Sequence, residues 1–177
     1  MGAFSPIPIY MGIKVLRSQR LYVKDLNLQD APFLLELLNT SGFIQFIGDR
    51  GVRTLQEAED FIIKLRDNPA IHYRVVFLQS TNISIGIISL VQRDYLPHPD
   101  IGFAFLPSQS SMGYAYEAAS LVLDDYFAQH KAPIFATTLE HNGRSISLLL
   151  RLGLTFERCI ERDQQLLHLY KKDPWNH

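Results

Sequence analysis

Cysteine is nearly absent: this chain has one, Cys159, in 177 residues. A single thiol forms no internal disulfide and is too few for a thiolate metal site, which points to a reducing, cytoplasmic setting and to no metal. Cys159 itself is expected as a small buried apolar residue. An excess of one charge is also lacking. Seventeen Lys and Arg against 18 Asp and Glu leave a formal net charge of -1, so nothing argues for a nucleic-acid partner. No apolar run approaches the roughly 18 residues needed to cross a membrane. The opening MGAFSPIPIYMGIKV has no basic stretch ahead of an apolar one, and Pro6 stands where myristoylation needs Ser or Thr, so neither a leader nor a lipid anchor is expected. Pro6 and Pro8 make residues 1–19 a loose lead-in, with Met11 as an alternative start. There is no internal repeat, low-complexity tract or linker. Residues 20–172 are expected as one domain, followed by a tail at 173–177.

A composition 47% hydrophobic and 20% charged can build a sizeable core. Arg20 to Leu26 alternates as a half-buried strand does. A helix follows over Leu28 to Leu38, while Ser41 to Gly48 reads either as one helical turn or as a loop. Thr54 and Glu57 form a capping box ahead of a helix from Leu55 to Arg66, with Ala58, Phe61, Ile62 and Leu65 as its buried stripe. Tyr73 to Leu78 and Ile83 to Val91 read as a hairpin, and Ile101 to Leu106 continues the meander. After it comes the stretch around which the chain is organised, LPSQSSMGYAYEAASLVLDDY. Its helix carries Ala115, Ala118, Ala119, Val122 and Tyr126 on one stripe. Gly113 stands where loop becomes helix, so Ser111, Met112, Gly113 and Tyr114 can present main-chain N–H groups to a phosphate. On its own this segment reads equally as a tight turn before a close-packed helix. Ile134 to Leu139 is another strand, Asn142 caps a helix to Leu152 that Gly153 ends, and Thr155 to Ile160 with Gln165 to Tyr170 closes the chain as a hairpin. The expected fold class is α+β, a single domain with a central mixed and largely antiparallel sheet of about seven strands flanked by helices.

Three spaced motifs go further: Ser110-Ser-Met-Gly113-Tyr-Ala115, Asn142-Gly-Arg-Ser145-Ile-Ser-Leu148-Leu149 and Leu152-Gly153-Leu154. In this order they resemble the Gcn5-related N-acetyltransferases, specifically the branch with the ribosomal-protein N-terminal acetyltransferases. That family has Gln/Arg-x-x-Gly-x-Gly/Ala opening a helix, then Asn-x-x-Ser-x-x-Leu-Leu, then Leu-Gly-Phe. The resemblance extends more faintly from Arg20 to Tyr170.

The resemblance implies transfer of an acetyl group from acetyl-coenzyme A, the co-substrate, to a primary amine on a protein N-terminus or a small molecule, by direct attack in a ternary complex. Ser110 to Ala115 would take the pyrophosphate. By position, Phe105 and Leu106 would pair with the pantetheine and supply the amide that polarises the thioester. Asn142 would bind the pantetheine, Arg144 would reach a phosphate, and Ser145 would give a proton to the leaving thiolate. Asp100 and His141 are the candidates for relaying a proton from the amine through water. Each has a plain structural reading too: Asn142 is a helix cap, Ser145 a solvated hydroxyl, Arg144 a solvated cation, Asp100 a turn residue and His141 a loop residue. Three positions depart from the family: Ser110 replaces Gln or Arg, Met112 replaces a basic residue, and Leu149 occupies the place of the tyrosine acid many relatives use. A non-catalytic acyl-coenzyme A binding or sensing domain is therefore the rival reading, alongside a purely structural or interaction domain. The assembly is expected as monomer or homodimer.

Overall fold

Alternation along the strands decides which residues each helix covers. The computed structural model describes residues 14–174; the lead-in over residues 1–13 and the tail from residue 175 lie outside these described residues. The strands are β1 (Leu16–Arg17), β2 (Leu21–Asp25), β3 (Ile71–Leu78), β4 (Ser84–Val91), β5 (Asp100–Phe105), β6 (Ile134–Leu139), β7 (Thr155–Arg162) and β8 (Gln165–Lys172). The helices are α1 (Ala31–Leu38), α2 (Ser41–Phe46), α3 (Leu55–Arg66), α4 (Tyr114–Gln129) and α5 (Gly143–Arg151). One sheet runs β1-β2-β3-β4-β5-β6-β8-β7, with every neighbouring pair antiparallel except β5 and β6. It has eight strands rather than seven, because the two residues of β1 pair with Val23 and Tyr22.

On one face Leu21, Val23, Val76, Ile88, Ile101 and Ile134 pack against Ala118, Ala119, Val122 and Tyr126 of α4 and Leu149 of α5. On the other, Val75, Phe77, Ile87 and Leu106 pack against Phe33, Leu34 and Leu37 of α1 and Ala58 and Ile62 of α3. Burying such a side chain stabilises the fold by roughly 1.5 to 3 kcal/mol. A smaller cluster of Leu96, Phe135 and Leu169 roofs the second face near β8. The small residues of α4 let it lie close to the sheet, and Ala115, at the stripe's exposed end, is only half-buried. Residues 41–46 are helical, with the Thr40 side chain accepting from the Phe43 N–H. Cys159 corrects an expectation: it is exposed, because β7 is the sheet's outer edge and no helix among the described residues covers it.

Candidate active site

The site starts from a disagreement between two strands. β5 and β6 are parallel neighbours, yet a single pair, Asp100 and Phe135, is in register. The strands then part, leaving a wedge that widens toward Phe105 and Leu139. Hydrogen bonding directs what β5 offers to this wedge. Leu106 N–H donates to Ile85 O at 2.9 Å, and the ladder places Ala104 opposite Ile87 and Gly102 opposite Ser89 in the same phase. An antiparallel ladder spends the main-chain groups of alternate residues on one neighbour, so those of Phe103 and Phe105 point the other way, into the wedge. Leu106 thus lies beside the site, but its amide is committed to β4 and cannot polarise a carbonyl. Phe103, which the sequence did not single out, faces the wedge with Phe105.

Because β5 and β6 are parallel, the helices that follow them both open at the wedge's wide end. The loop entering α4 has Ser111 at φ 64° and Gly113 at φ 79°, both left-handed. No side chain caps this helix. The N–H groups of Ser111, Met112 and Gly113 make no hydrogen bond among the described residues, and those of Tyr114 and Ala115 fall in the first turn, where no intrahelical partner exists. Ser110, Ser111 and Met112 are exposed, and Tyr114 is half-buried. At the start of α5 the Asn142 side chain accepts from the Ser145 N–H at 3.2 Å, and neither the side-chain nitrogen of Asn142 nor the Ser145 hydroxyl has a partner among the described residues. Main-chain donors at one helix mouth, a wedge of unpaired strand amides and a second helix mouth opposite fit an elongated ligand with an anionic end and an amide-bearing arm.

A family profile described as "Acetyltransferase (GNAT) domain" matches residues 20–155, well over half of the chain. The chain belongs to the GNAT acetyltransferases. It is an acyltransferase with acetyl-coenzyme A as donor. It is 25% identical over 172 residues to the uncharacterized N-acetyltransferase YnaD of Bacillus subtilis (strain 168), covering 91% of this chain and 99% of that one. RimL, the ribosomal L7/L12 alpha-N-protein acetyltransferase solved with coenzyme A, superposes with a TM-score of 0.78 at 16% identity, over 90% of this chain and 98% of its own. Spermidine N-acetyltransferase from Vibrio cholerae, solved with coenzyme A and spermine, gives 0.76 at 18% identity, over 90% and 98%.

In this GNAT acetyltransferase the remaining candidates separate into two places. Asp100, 3% exposed, sits at the narrow end of the wedge, bonded by Arg93 Nε at 3.3 and 3.2 Å and approached by the Thr137 hydroxyl at 3.5 Å. Burial pushes its carboxyl above the ordinary 3.8, against the pull of Arg93 and Thr137. It is a strand residue with a buried carboxyl, not a turn residue. His141 lies elsewhere: it is exposed past the end of β6, its ring 6.0 Å from that of Phe46 in α2. Phe135 and Leu139 are four residues apart, roughly 13 Å along a strand, so Asp100 and His141 cannot serve the same proton. Arg144 is exposed on the first turn of α5.

The sequence missed Arg20 altogether. Its Nη1 donates to Met112 O at 2.9 Å, its Nε donates to Glu117 at 2.7 Å, and its guanidinium lies 4.6 Å from the Tyr114 ring centroid. It lines a recess of about 450 Å³ with Gly113, Tyr116, Glu117 and Arg151. A cation thus stands beside this loop although Ser110 and Met112 supply none, and it comes from the residue just before β2, 92 residues before Met112. No local pattern marks such a contact.

Proposed function

We propose that this GNAT acetyltransferase moves the acetyl group to a primary amine by direct attack, with both substrates bound together. The observation that carries the reading is the wedge: one register pair between β5 and β6, strand amides turned into the gap, and the free N–H groups of residues 111–115 at its wide end. Bound acetyl-coenzyme A supplies the activated acyl carbon. The chain's own groups do the rest. One of the wedge-facing amides of Phe103 and Phe105, which lie about 7 Å apart along the strand, stabilises the negative charge developing on the carbonyl oxygen, and the other pairs with the pantetheine arm. Asp100 takes one proton from the acceptor's ammonium; it is three residues, about 10 Å, from Phe103, so the proton passes through water. As the C–N bond forms and the C–S bond breaks, Ser145 gives its hydroxyl proton to the departing thiolate and regains one from the amine nitrogen, so the products are the amide and the free thiol.

The acyl-coenzyme A sensing alternative is favoured by one observation: position 149, where many relatives place a tyrosine acid, holds the buried Leu149, which can donate no proton. Two measurements separate the readings. Acetyl-coenzyme A at a hundredfold excess over its dissociation constant should stabilise the protein by about 2.7 kcal/mol in either case. Only the enzyme should release coenzyme A thiol with a panel of amines, and Asp100→Asn should lower that turnover about a hundredfold or more while leaving acetyl-coenzyme A binding intact. Thiol release at the wild-type rate in Asp100→Asn would remove Asp100 from the mechanism.

A further inference from the structure

The sheet face beneath α1 and α3 carries a polar row. Gly102 on β5 stands opposite Ser89 on β4, and Ser89 opposite Tyr73 on β3. Gly102 keeps this row open, since a Cβ there would come within 2.7 Å of Ser89 Oγ. Asp100, two residues along the same face, has Thr137 of β6 at its side. The phenol of Tyr73 makes no hydrogen bond among the described residues.

Arg93 reaches this row, and Arg50 from a separate loop acts on Tyr73 through space. Arg93, leaving β4, gives only its Nε to Asp100; its two terminal nitrogens have no partner among the described residues, and its side chain is 42% exposed. Arg50, exposed in the loop before α3, makes neither a hydrogen bond nor an ion pair among them. Both are close enough to Tyr73 to oppose the upward push that burial gives its phenol, while Asp100 adds to that push. The neighbouring acids are committed elsewhere: Asp49 to Arg53, Asp94 to Arg162 and Asp173 to Lys171. One carboxylate facing two guanidiniums leaves a surplus positive charge beside the group that must take the amine's proton. A planar guanidinium fork with free ends matches a carboxylate.

We infer that the acceptor carries a carboxylate within a few bonds of its reactive amine, as an α-amino acid or an acidic peptide N-terminus does. Its carboxylate rests on Arg50 and Arg93, its amine lies toward Asp100, and a polyamine is disfavoured. This rests on the acetyl-transfer reading above.

The test compares thiol release with L-glutamate, the peptide amides Ala-Asp-Glu-Phe and Ala-Lys-Lys-Phe, and spermidine at one ionic strength. It adds calorimetric binding of the same four compounds to the coenzyme A-saturated protein. The acidic acceptors should exceed the lysine peptide and spermidine at least tenfold in kcat/KM. Arg50→Glu should erase that preference through KM without changing coenzyme A affinity, and Arg93→Lys, which keeps charge but loses the fork, should weaken it. Preference for L-glutamate over the acidic peptide identifies a free amino acid, and the reverse identifies a protein N-terminus. Faster turnover of spermidine or the lysine peptide, or an unchanged ranking in Arg50→Glu, overturns the carboxylate site and leaves acetyl transfer standing. Tight binding of an acidic acceptor with no thiol release from any compound supports the site and overturns acetyl transfer. Absence of both binding and release overturns the site.

Discussion

Arg20 shows how one side chain can set the shape of a ligand loop. By drawing the Met112 carbonyl to itself, it keeps that oxygen turned away from the cluster of N–H groups an anion needs. Glu117 holds it in place. Burial alone would raise the Glu117 carboxyl, but the Ser18 hydroxyl at 2.6 Å and Arg20 bring it below its ordinary value. The pair is partly exposed, Arg20 at 44% and Glu117 at 19%, so solvent screens it and its contribution to stability is at most about 1 kcal/mol. Its effect on binding should be larger, because hydrogen bonds to a charged group are worth about 1.5 to 3 kcal/mol. Arg20→Ala is therefore expected to raise the coenzyme A dissociation constant tenfold or more while barely moving Tm. Calorimetric titration beside thermal unfolding checks this, and equal losses in both would make Arg20 merely structural. Gly113→Ala tests the same loop from the backbone. At φ 79° a Cβ costs about 1 to 2 kcal/mol, and it would stand 3.4 Å from Arg20 Nη2.

Among the elements, β5 binds the two halves of the site together, and its position depends on a glycine across the ladder. Gly86 faces Phe105, and a Cβ at Gly86 would fall 2.4 Å from the Phe105 ring. Gly86→Ala must displace that ring or the strand, and overpacking of this kind costs about 1 to 3 kcal/mol. Because the Phe105 amide faces the wedge, the displacement should also weaken coenzyme A binding. A lower Tm with unchanged affinity would show that the wedge tolerates movement of β5. The elements themselves were largely readable from the sequence, because their causes are local: the capping box of Thr54 and Glu57 forms as expected, and the α4 stripe buries Ala118, Ala119, Val122 and Tyr126. The 41–46 segment was ambiguous because six residues carry too little periodicity to separate a turn from a helix. The Leu106 amide was misread since ladder phase depends on β4. Arg20, Arg93 and Tyr73 stayed hidden because their partners are distant in sequence or belong to other strands, and the burial of Arg74 against Asp125, 3.4 Å away at the far end of α4, was equally invisible.

For the molecule as a whole, pH is where the site and the fold meet. Asp30 and Asp100 both have carboxyls raised above 3.8, chiefly by burial, whereas that of Glu117 is lowered. The signs oppose each other. A raised carboxyl binds its proton more tightly in the folded state, so its stabilising contribution is complete below about pH 3.8 and is lost as pH rises through the folded value. The lowered Glu117 contributes above its unfolded value, and its contribution is lost as pH falls through the folded one. Asp100 can be isolated because Asn keeps its shape and cannot ionise. The Tm of Asp100→Asn minus that of wild type should therefore climb as pH increases from about 4 and level off once Asp100 is ionised in the folded protein, riding on a constant offset from the altered Arg93 contact. Thermal unfolding at half-unit steps from pH 4 to 8 measures it. The same ionisation should set the acidic limb of kcat/KM, above the range of an exposed aspartate, if Asp100 receives the amine's proton. A Tm difference that is flat or falls with pH would mean that the carboxyl is not destabilised by burial, leaving Asp100 an anchor for Arg93 rather than a base.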